Sequence, residues 1–143
     1  MTRETGFTLI ELMVTIAIVA ILAAFAIPMF SEQKAKGRRS DAISTLTQLQ
    51  LDQERRRANH ATYGSLVDIS GSADDATFNA AHANYNYSVS AASGTDVLIT
   101  ATPKAGHSGD RCGNFMLRID NDNNNAPAGM VDKTTSSGAE RCW

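Results

Sequence analysis

The sequence is poor in the side chains that bind metals or carry out nucleophilic chemistry. Its 143 residues include two cysteines and three histidines, and the histidines are scattered without a paired CxxC or HxxxH spacing. A zinc site needs about four ligands at short spacings, so no metal centre is predicted. There is also no nucleophile motif, phosphate loop or carboxylate pair in a recognisable setting. The sequence therefore predicts a protein with no cofactor and no enzymatic activity.

The two cysteines, Cys112 and Cys142, allow two interpretations. A single disulfide formed in an oxidising compartment would close a loop of about 30 residues and contribute roughly 3 to 4 kcal/mol in the chain-entropy model. The alternative is a pair of buried thiols in a cytoplasmic protein. The disulfide is favoured, because an apolar N-terminal segment independently indicates an exported domain.

Charge is almost absent from residues 7–30, which read FTLIELMVTIAIVAILAAFAIPMF. As a helix this segment would be roughly 36 Å long, which is enough to span the hydrocarbon layer of a bilayer. A secretory signal has a shorter apolar core of about 7 to 15 residues, followed by a cleavage site. The segment is therefore predicted to be retained as a membrane helix.

The single charge in this segment is Glu11. A lone carboxylate in a bilayer costs several kcal/mol by insertion-type estimates, so Glu11 is a candidate functional group that needs a partner from outside the segment. The structural alternative is that its side chain reaches the headgroups from the end of the helix. Pro28 removes a backbone hydrogen bond and clashes with the carbonyl of Ala24, which predicts a bend or local unwinding within residues 24–28.

The remaining charge is unevenly distributed. Residues 31–60 carry seven Lys and Arg against four Asp and Glu, a net of +3, whereas residues 61–143 carry five against nine, a net of −4. Because more cations follow the apolar segment than precede it, the positive-inside rule alone does not orient the helix. The basic patch after the segment is predicted to face lipid headgroups or acidic neighbours. It comprises Lys34, Lys36, Arg38 and Arg39.

Beyond Pro28 the spacing of the apolar residues is first that of a helix and later that of strands. A stripe at helical spacing follows Pro28, and the helix is predicted to end near Asn59. The stripe contains Ala35, Ala42, Ile43, Leu46, Leu49 and Gln53. From Tyr85 the period is two in runs at 85–91, 97–101 and 115–119, with a hairpin at 93–95 and a fourth strand at 130–132. Short helical pieces are predicted between helix and sheet. The fold class is therefore α+β, with one long N-terminal helix packed on a three- to four-stranded antiparallel sheet.

The stretch Gly6-Phe7-Thr8-Leu9-Ile10-Glu11, followed by the apolar run, resembles the class III prepilin signature of type IV pilins and related pseudopilins. The resemblance implies a cytoplasmic leader, residues 1–6, that a prepilin peptidase removes after Gly6 before methylating the amine of Phe7. It implies that residues 7–30 anchor the prepilin in the inner membrane and later form the filament core. It further implies that residues 31–143 form a pilin head outside, and that Glu11 pairs with the N-terminal amine of a neighbouring subunit.

Three further segments, QERRRANHATYGSL, VLITATPKAGHSGDRCG and the terminal CW, resemble small minor pilins of the PilE-like group. This second resemblance implies a disulfide between Cys112 and Cys142 that closes the C-terminal region. The arginine triplet at 55–57 departs from the group's pattern. The leading prediction is a minor subunit of a type IV pilus, with other pilins and the inner-membrane assembly machinery as partners. A type II secretion pseudopilin and a DNA-binding competence pilin are the alternatives.

The acidic stretch IDNDNNN invites a calcium interpretation. Asp120, Asp122 and Asn124 match the first three ligand positions of an EF-hand loop, but Asn125 and Val131 replace its glycine and its final glutamate. An Asx-rich turn is therefore favoured, with a different type of calcium loop as the alternative.

A glycine-containing loop next to Cys112 carries Lys104, His107 and Arg111, which are candidate DNA contacts. The surrounding region is acidic and has no interleaved aromatics to stack on bases. A solvated loop is therefore the favoured interpretation, and contact with DNA is the alternative.

Overall fold

A computed structural model describes residues 6–90, 94–120, 130–138 and 142–143. In chain order its elements are α1 (Leu9–Arg57), α2 (Leu66–Ser70), α3 (Asp75–Ala80), β1 (Tyr85–Ser90), β2 (Asp96–Pro103), β3 (Phe115–Asp120) and β4 (Met130–Thr135). The chain divides into two compact units, Met1–Gly37 and Arg38–Trp143. The predicted α+β class is confirmed, and α1 ends two residues before the predicted position.

The first unit contains the apolar part of α1, and its large side chains are exposed. All the large apolar side chains from Phe7 to Phe30 that the structure describes are between 50% and 86% exposed. A continuous apolar surface of this kind marks contact with lipid or with another protein. The helix is long and apolar enough to cross a membrane. It is helical throughout residues 24–28, and the bend at Pro28 stays a prediction.

In the second unit the four strands form one antiparallel sheet in the order β1-β2-β3-β4. Successive side chains of a strand point to opposite faces, so the register decides which residues share a face. Val97 pairs with Ile119 and Ala101 pairs with Phe115, which puts the apolar residues of neighbouring strands in rows. All of these are buried in one core with Ala42, Leu46 and Leu49 of α1. The predicted stripe therefore packs on the sheet.

The fourth strand and the disulfide complete this unit. β4 is longer than predicted, because its polar residues up to Thr135 pair along β3 as far as Phe115. Cys112 and Cys142 form the expected disulfide across a separation of 30 residues, and both are buried. The bond ties the C-terminus to the loop before β3. Closing a loop of this length restricts the unfolded chain and stabilises the fold by about 3 to 4 kcal/mol in the chain-entropy model.

The connection between α1 and the sheet contains the two short helices. Ser65 caps α2 in a capping box with Asp68, and Asp74 caps α3.

The buried Gln53 side chain holds the start of this connection. Its Nε2 donates to the Gly64 carbonyl at 2.7 Å, and its Oε1 accepts from the Gly64 N–H at 2.9 Å. A Cβ at Gly64 would lie 2.5 Å from Arg56 Cδ, so the close packing favours glycine there. Gln53, the polar residue of the apolar stripe, thus fixes the backbone of Gly64 through two hydrogen bonds, and this pair of bonds is called the Gln53 clamp below.

Replacing Gln53 with leucine should destabilise the second unit. The substitution leaves the N–H and carbonyl of Gly64 buried without partners, and each costs about 1 to 3 kcal/mol, so a total loss of about 2 to 6 kcal/mol is expected. Urea denaturation of the full-length chain in detergent, followed by near-UV circular dichroism, measures the change. Gln48→Leu is the matched control, since Gln48 is exposed on the same helix. Equal destabilisation by both substitutions would contradict the clamp.

Candidate functional site

The N-terminal end of α1 is capped by Thr8. Its Oγ1 accepts a hydrogen bond from the Glu11 N–H at 3.3 Å, and its carbonyl accepts from the Leu12 N–H at 3.2 Å. Thr-Leu-Ile-Glu is the capping-box pattern, a helix-start signal that the sequence analysis missed. In a complete box the glutamate side chain would bond back to the N-cap N–H. Within the described residues the Glu11 carboxylate makes no such bond, and only the Thr8 half of the box is present.

Glu11 therefore presents an ionisable group on an apolar surface. In the part of the chain that the structure describes, its carboxylate has no hydrogen bond or ion pair, and residues 6–30 contain no Lys or Arg. The side chains around it, such as Ile10 and Leu12, are exposed by more than half. In water the carboxylate is solvated, but in lipid or a packed apolar core its charged form is strongly penalised unless a counter-charge pairs with it.

A buried ion pair joins α1 to the loop before the disulfide. Arg39 Nε donates to Asp110 Oδ1 at 2.9 Å and to Oδ2 at 3.0 Å, and the two side chains are 9% and 4% exposed. Asp110 Oδ1 also accepts from the Cys112 N–H at 2.9 Å. Arg39 was predicted to face headgroups or acidic neighbours with the rest of the basic patch, and that prediction is wrong. The fold brings Arg39 into contact with an acid that lies 71 residues later in the chain, and no local pattern in the sequence indicates this contact.

The electrostatics of this pair favour the ionised carboxylate. Burial of Asp110 would raise its pKa. The hydrogen bonds from Arg39 and the Cys112 N–H, with the charges of Arg39 and Arg38, outweigh burial and lower the pKa below its ordinary value of 3.8. The pair therefore holds the Cys112 backbone most firmly when Asp110 is charged.

The three candidate DNA contacts lie in one loop but differ in their availability. Lys104 Nζ donates to the carbonyls of Asn79 at 2.7 Å and His82 at 2.5 Å, so its ammonium is engaged at the end of α3. His107 is half-buried, and Arg111 is exposed. Arg111 is therefore the most accessible of the three. The sequence offered no signal that Lys104 would reach α3.

The acidic stretch is described only at its first residue. Asp120 is buried at the end of β3, and Arg118 Nη2 lies 3.4 Å from Asp120 Oδ2. Asp122, Asn124 and Asn125 lie outside the described residues. The Asx-rich turn and the calcium loop therefore both stay predictions.

These features together define a class. A long helix with an exposed apolar first part, a second part packed on a four-stranded antiparallel sheet and a C-terminal disulfide form the architecture of a pilin. A family model described as "Prokaryotic N-terminal methylation motif" matches residues 1–27, and one described as "Type IV minor pilin ComP, DNA uptake sequence receptor" matches residues 28–116. The second match covers more than half of the chain, and the chain belongs to the type IV pilin family, whose members are structural subunits rather than enzymes.

Curated relatives agree with this membership. The chain is 40% identical over 92 residues to the type IV major pilin protein PilA of Myxococcus xanthus, which is 64% of this chain and 40% of the relative. It is 40% identical over 79 residues to a fimbrial protein of Neisseria meningitidis, 49% of this chain and 46% of the relative. It is 32% identical over 109 residues to the fimbrial protein EcpC of Eikenella corrodens, 71% of this chain and 64% of the relative. The chain thus spans less than two thirds of the length of each.

The Arg39 and Asp110 pair should make stability depend on pH in the acid range. Because the folded pKa of Asp110 lies below its ordinary value of 3.8, the stabilisation is complete above that value and is lost as pH falls through the folded pKa. Asp110→Asn should cost about 3 kcal/mol at pH 7, and the difference from wild type should shrink towards pH 2. Denaturant titrations of the full-length chain at several pH values measure it. Asp132→Asn, an exposed acid on β4, is the control, and a difference that is constant with pH would contradict the assignment.

Proposed function

We propose that this chain is a minor subunit of a type IV pilus. In this proposal a prepilin peptidase cleaves after Gly6 and the new N-terminal amine of Phe7 is methylated. Residues 7–30 anchor the subunit in the bacterial inner membrane with residues 31–143 in the periplasm, and the subunit is then assembled into a filament at the cell surface. The match of the methylation-motif family to residues 1–27 supports the processing step. The exposed apolar surface of α1 supports both the membrane stage and the filament stage, because each supplies an apolar surrounding.

The observation that carries the assembly step is the carboxylate of Glu11. It has no ion pair or hydrogen bond within the described chain, and it lies on a helix surface that is otherwise apolar. Cleavage after Gly6 would create an ammonium group at Phe7 of each subunit. In a filament core of low dielectric, a carboxylate gains much more from pairing with an ammonium than it does in water, and an unpaired charge is strongly penalised. Glu11 thus selects the axial register in which it meets a neighbour's amine.

Glu11→Gln should block assembly without blocking processing. Glutamine keeps the shape of the side chain but lacks the charge, so the register is no longer selected and incorporation into sheared pili should fall at least about tenfold. Quantitative peptide mass spectrometry of sheared pili and inner membranes measures the distribution. Glu32→Gln is the control, since Glu32 is an exposed acid of the same helix beyond the apolar segment. Normal incorporation of the Glu11 variant would contradict the register role.

The same measurement separates the pilus from the secretion alternative. A peptide that starts at methylated Phe7, present in sheared pili at a small ratio to another pilin, supports a processed minor subunit. A processed chain that stays in the inner membrane and is absent from sheared material supports a type II secretion pseudopilin instead.

DNA binding is a second candidate function, and the family match to residues 28–116 is the observation that favours it, because that family is described as a DNA uptake sequence receptor. The contacts in the second unit favour Arg38 and Arg111, rather than Lys104, as the candidate DNA contacts. Lys104 is engaged by two backbone carbonyls, whereas Arg111 is exposed beside Asp110, and the charge of Arg38 also acts on Asp110. Arg39 neutralises Asp110, so Arg38 and Arg111 supply the net positive charge at this place.

Under this second function, removal of these arginines should change the salt dependence of DNA binding. Each arginine that neutralises a phosphate contributes about one to the slope of log affinity against log salt concentration, so Arg38→Gln with Arg111→Gln should lower the slope by about two. Binding of a labelled duplex to the full-length chain in detergent, measured across salt concentrations, gives the slope. Arg55→Gln, which removes one exposed arginine at the far end of α1, is the control and should leave the slope unchanged. An unchanged slope in the double variant would exclude this surface.

A further inference from the structure

A polar groove runs along α1 within the unit formed by residues 38–143. Two adjacent cavities of about 320 Å³ and about 390 Å³ share the lining residues Ser44, Thr45 and His82. Their volumes are those of pockets that hold small molecules. Pilus assembly through residues 7–30 and DNA binding near Arg111 do not use this groove.

One wall of the groove is a face of α1. Asp41, Ser44, Gln48 and Asp52 recur at three- and four-residue spacing, so they lie on the same side of the helix. The eleven steps from Asp41 to Asp52 along the helix correspond to about 16 Å along its axis. The opposite wall is formed by α3 and the segment that follows it.

The charges and polarity of the lining residues argue against an anion, a cation or an apolar molecule as the ligand. Asp52 is neutralised by Arg55 Nη1 at 2.9 Å, whereas the Asp41 carboxylate accepts from the Asn84 amide at 3.4 Å. Among the described lining residues there is no Lys or Arg, so the groove has nothing to attract an anion. One exposed carboxylate gives little selectivity for a cation. The lining includes apolar side chains such as Leu49 and Phe78, but an apolar ligand would remove water from the exposed Asp41 carboxylate, which is unfavourable.

The hydrogen-bonding groups fit hydroxyls. The Asp41 carboxylate accepts and the neighbouring Asn84 amide donates, so together they match a hydroxyl, which does both. His82 Nδ1 lies 2.9 Å from the Phe78 carbonyl, which can only accept, so Nδ1 carries the hydrogen. In the neutral ring, Nε2 is then an acceptor. We propose that this groove binds a neutral saccharide.

The binding groups are held in place before any ligand arrives. The His82 ring packs against Phe78 and Tyr87, with centroids 4.5 Å and 4.9 Å away, and Lys104 Nζ holds the His82 carbonyl. Thr45 Oγ1 donates to the Asp41 carbonyl at 3.0 Å. Burial raises the pKa of Tyr87, so its hydroxyl stays protonated. Side chains that are already fixed lose little conformational entropy on binding, which favours affinity for a small polar ligand.

Direct binding tests the proposal. The full-length chain is prepared in a detergent without a sugar headgroup and titrated with the methyl glycosides of glucose, galactose, mannose and N-acetylglucosamine, with saturation-transfer NMR as the readout. At least one glycoside is expected to bind the wild type. Asp41→Asn and Asn84→Ala should each weaken that binding about tenfold, as expected when one hydrogen bond of a charged or fixed polar group is removed. Asp75→Asn, the same change of charge on an exposed residue of α3 outside the groove, should bind like the wild type.

Near-UV circular dichroism of each variant verifies that the fold is kept, which the exposure of Asp41 favours. The proposal is overturned if none of the four glycosides binds, or if the glycoside binds Asp41→Asn as tightly as the wild type. Methylguanidinium is titrated in parallel. If it binds with loss in Asp41→Asn while the glycosides do not bind, the groove is a cation site and the saccharide assignment is wrong.

Discussion

The apolar surface of α1 between residues 7 and 30 needs an apolar surrounding, and the described chain does not supply one. Its large side chains are exposed by at least half, although apolar area removed from water is the main favourable term in protein folding and association. A bilayer and a bundle of identical helices both satisfy this surface without further specificity. An apolar surface alone does not select a position along the axis, whereas a charged group can, and Glu11 is the only ionisable residue in residues 7–30.

In the unit from Arg38 to Trp143 the same helix is partly buried in a core instead of being exposed. Here one face of α1 is covered by the sheet, and three separate devices fix the chain around it: the Gln53 clamp on Gly64, the buried pair of Arg39 with Asp110, and the disulfide. A small domain buries a smaller fraction of its surface than a large one, so each of these contacts contributes a larger share of its stability. Two of the three act at the same loop, because Asp110 also accepts from the Cys112 N–H.

Periodicity predicted the features that depend on local order. The strands at Tyr85, Val97 and Phe115 and the stripe through Leu46 were predicted because each side chain's face follows from its spacing. The Thr8 cap also has a local signal, which is the Thr-x-x-Glu spacing of Thr8 and Glu11. The partners of Arg39 and Lys104 had no such signal. They depend on how distant loops return to α1 and α3, and charge alone placed Arg39 wrongly on a surface that faces headgroups or acidic neighbours.

The hydrogen bonds of Lys104 show that a cation in this loop is not automatically available to a ligand. Counting cations in the loop gives three candidates for contact with phosphate, but an ammonium held by two carbonyls would lose those bonds on turning to DNA. Its bond to the His82 carbonyl places it instead behind the polar groove on α1. Arg39 already neutralises Asp110, and the charge of Arg38 also acts on that acid. The exposed Arg111 is therefore the one cation of this loop whose availability does not depend on breaking a hydrogen bond that the structure describes.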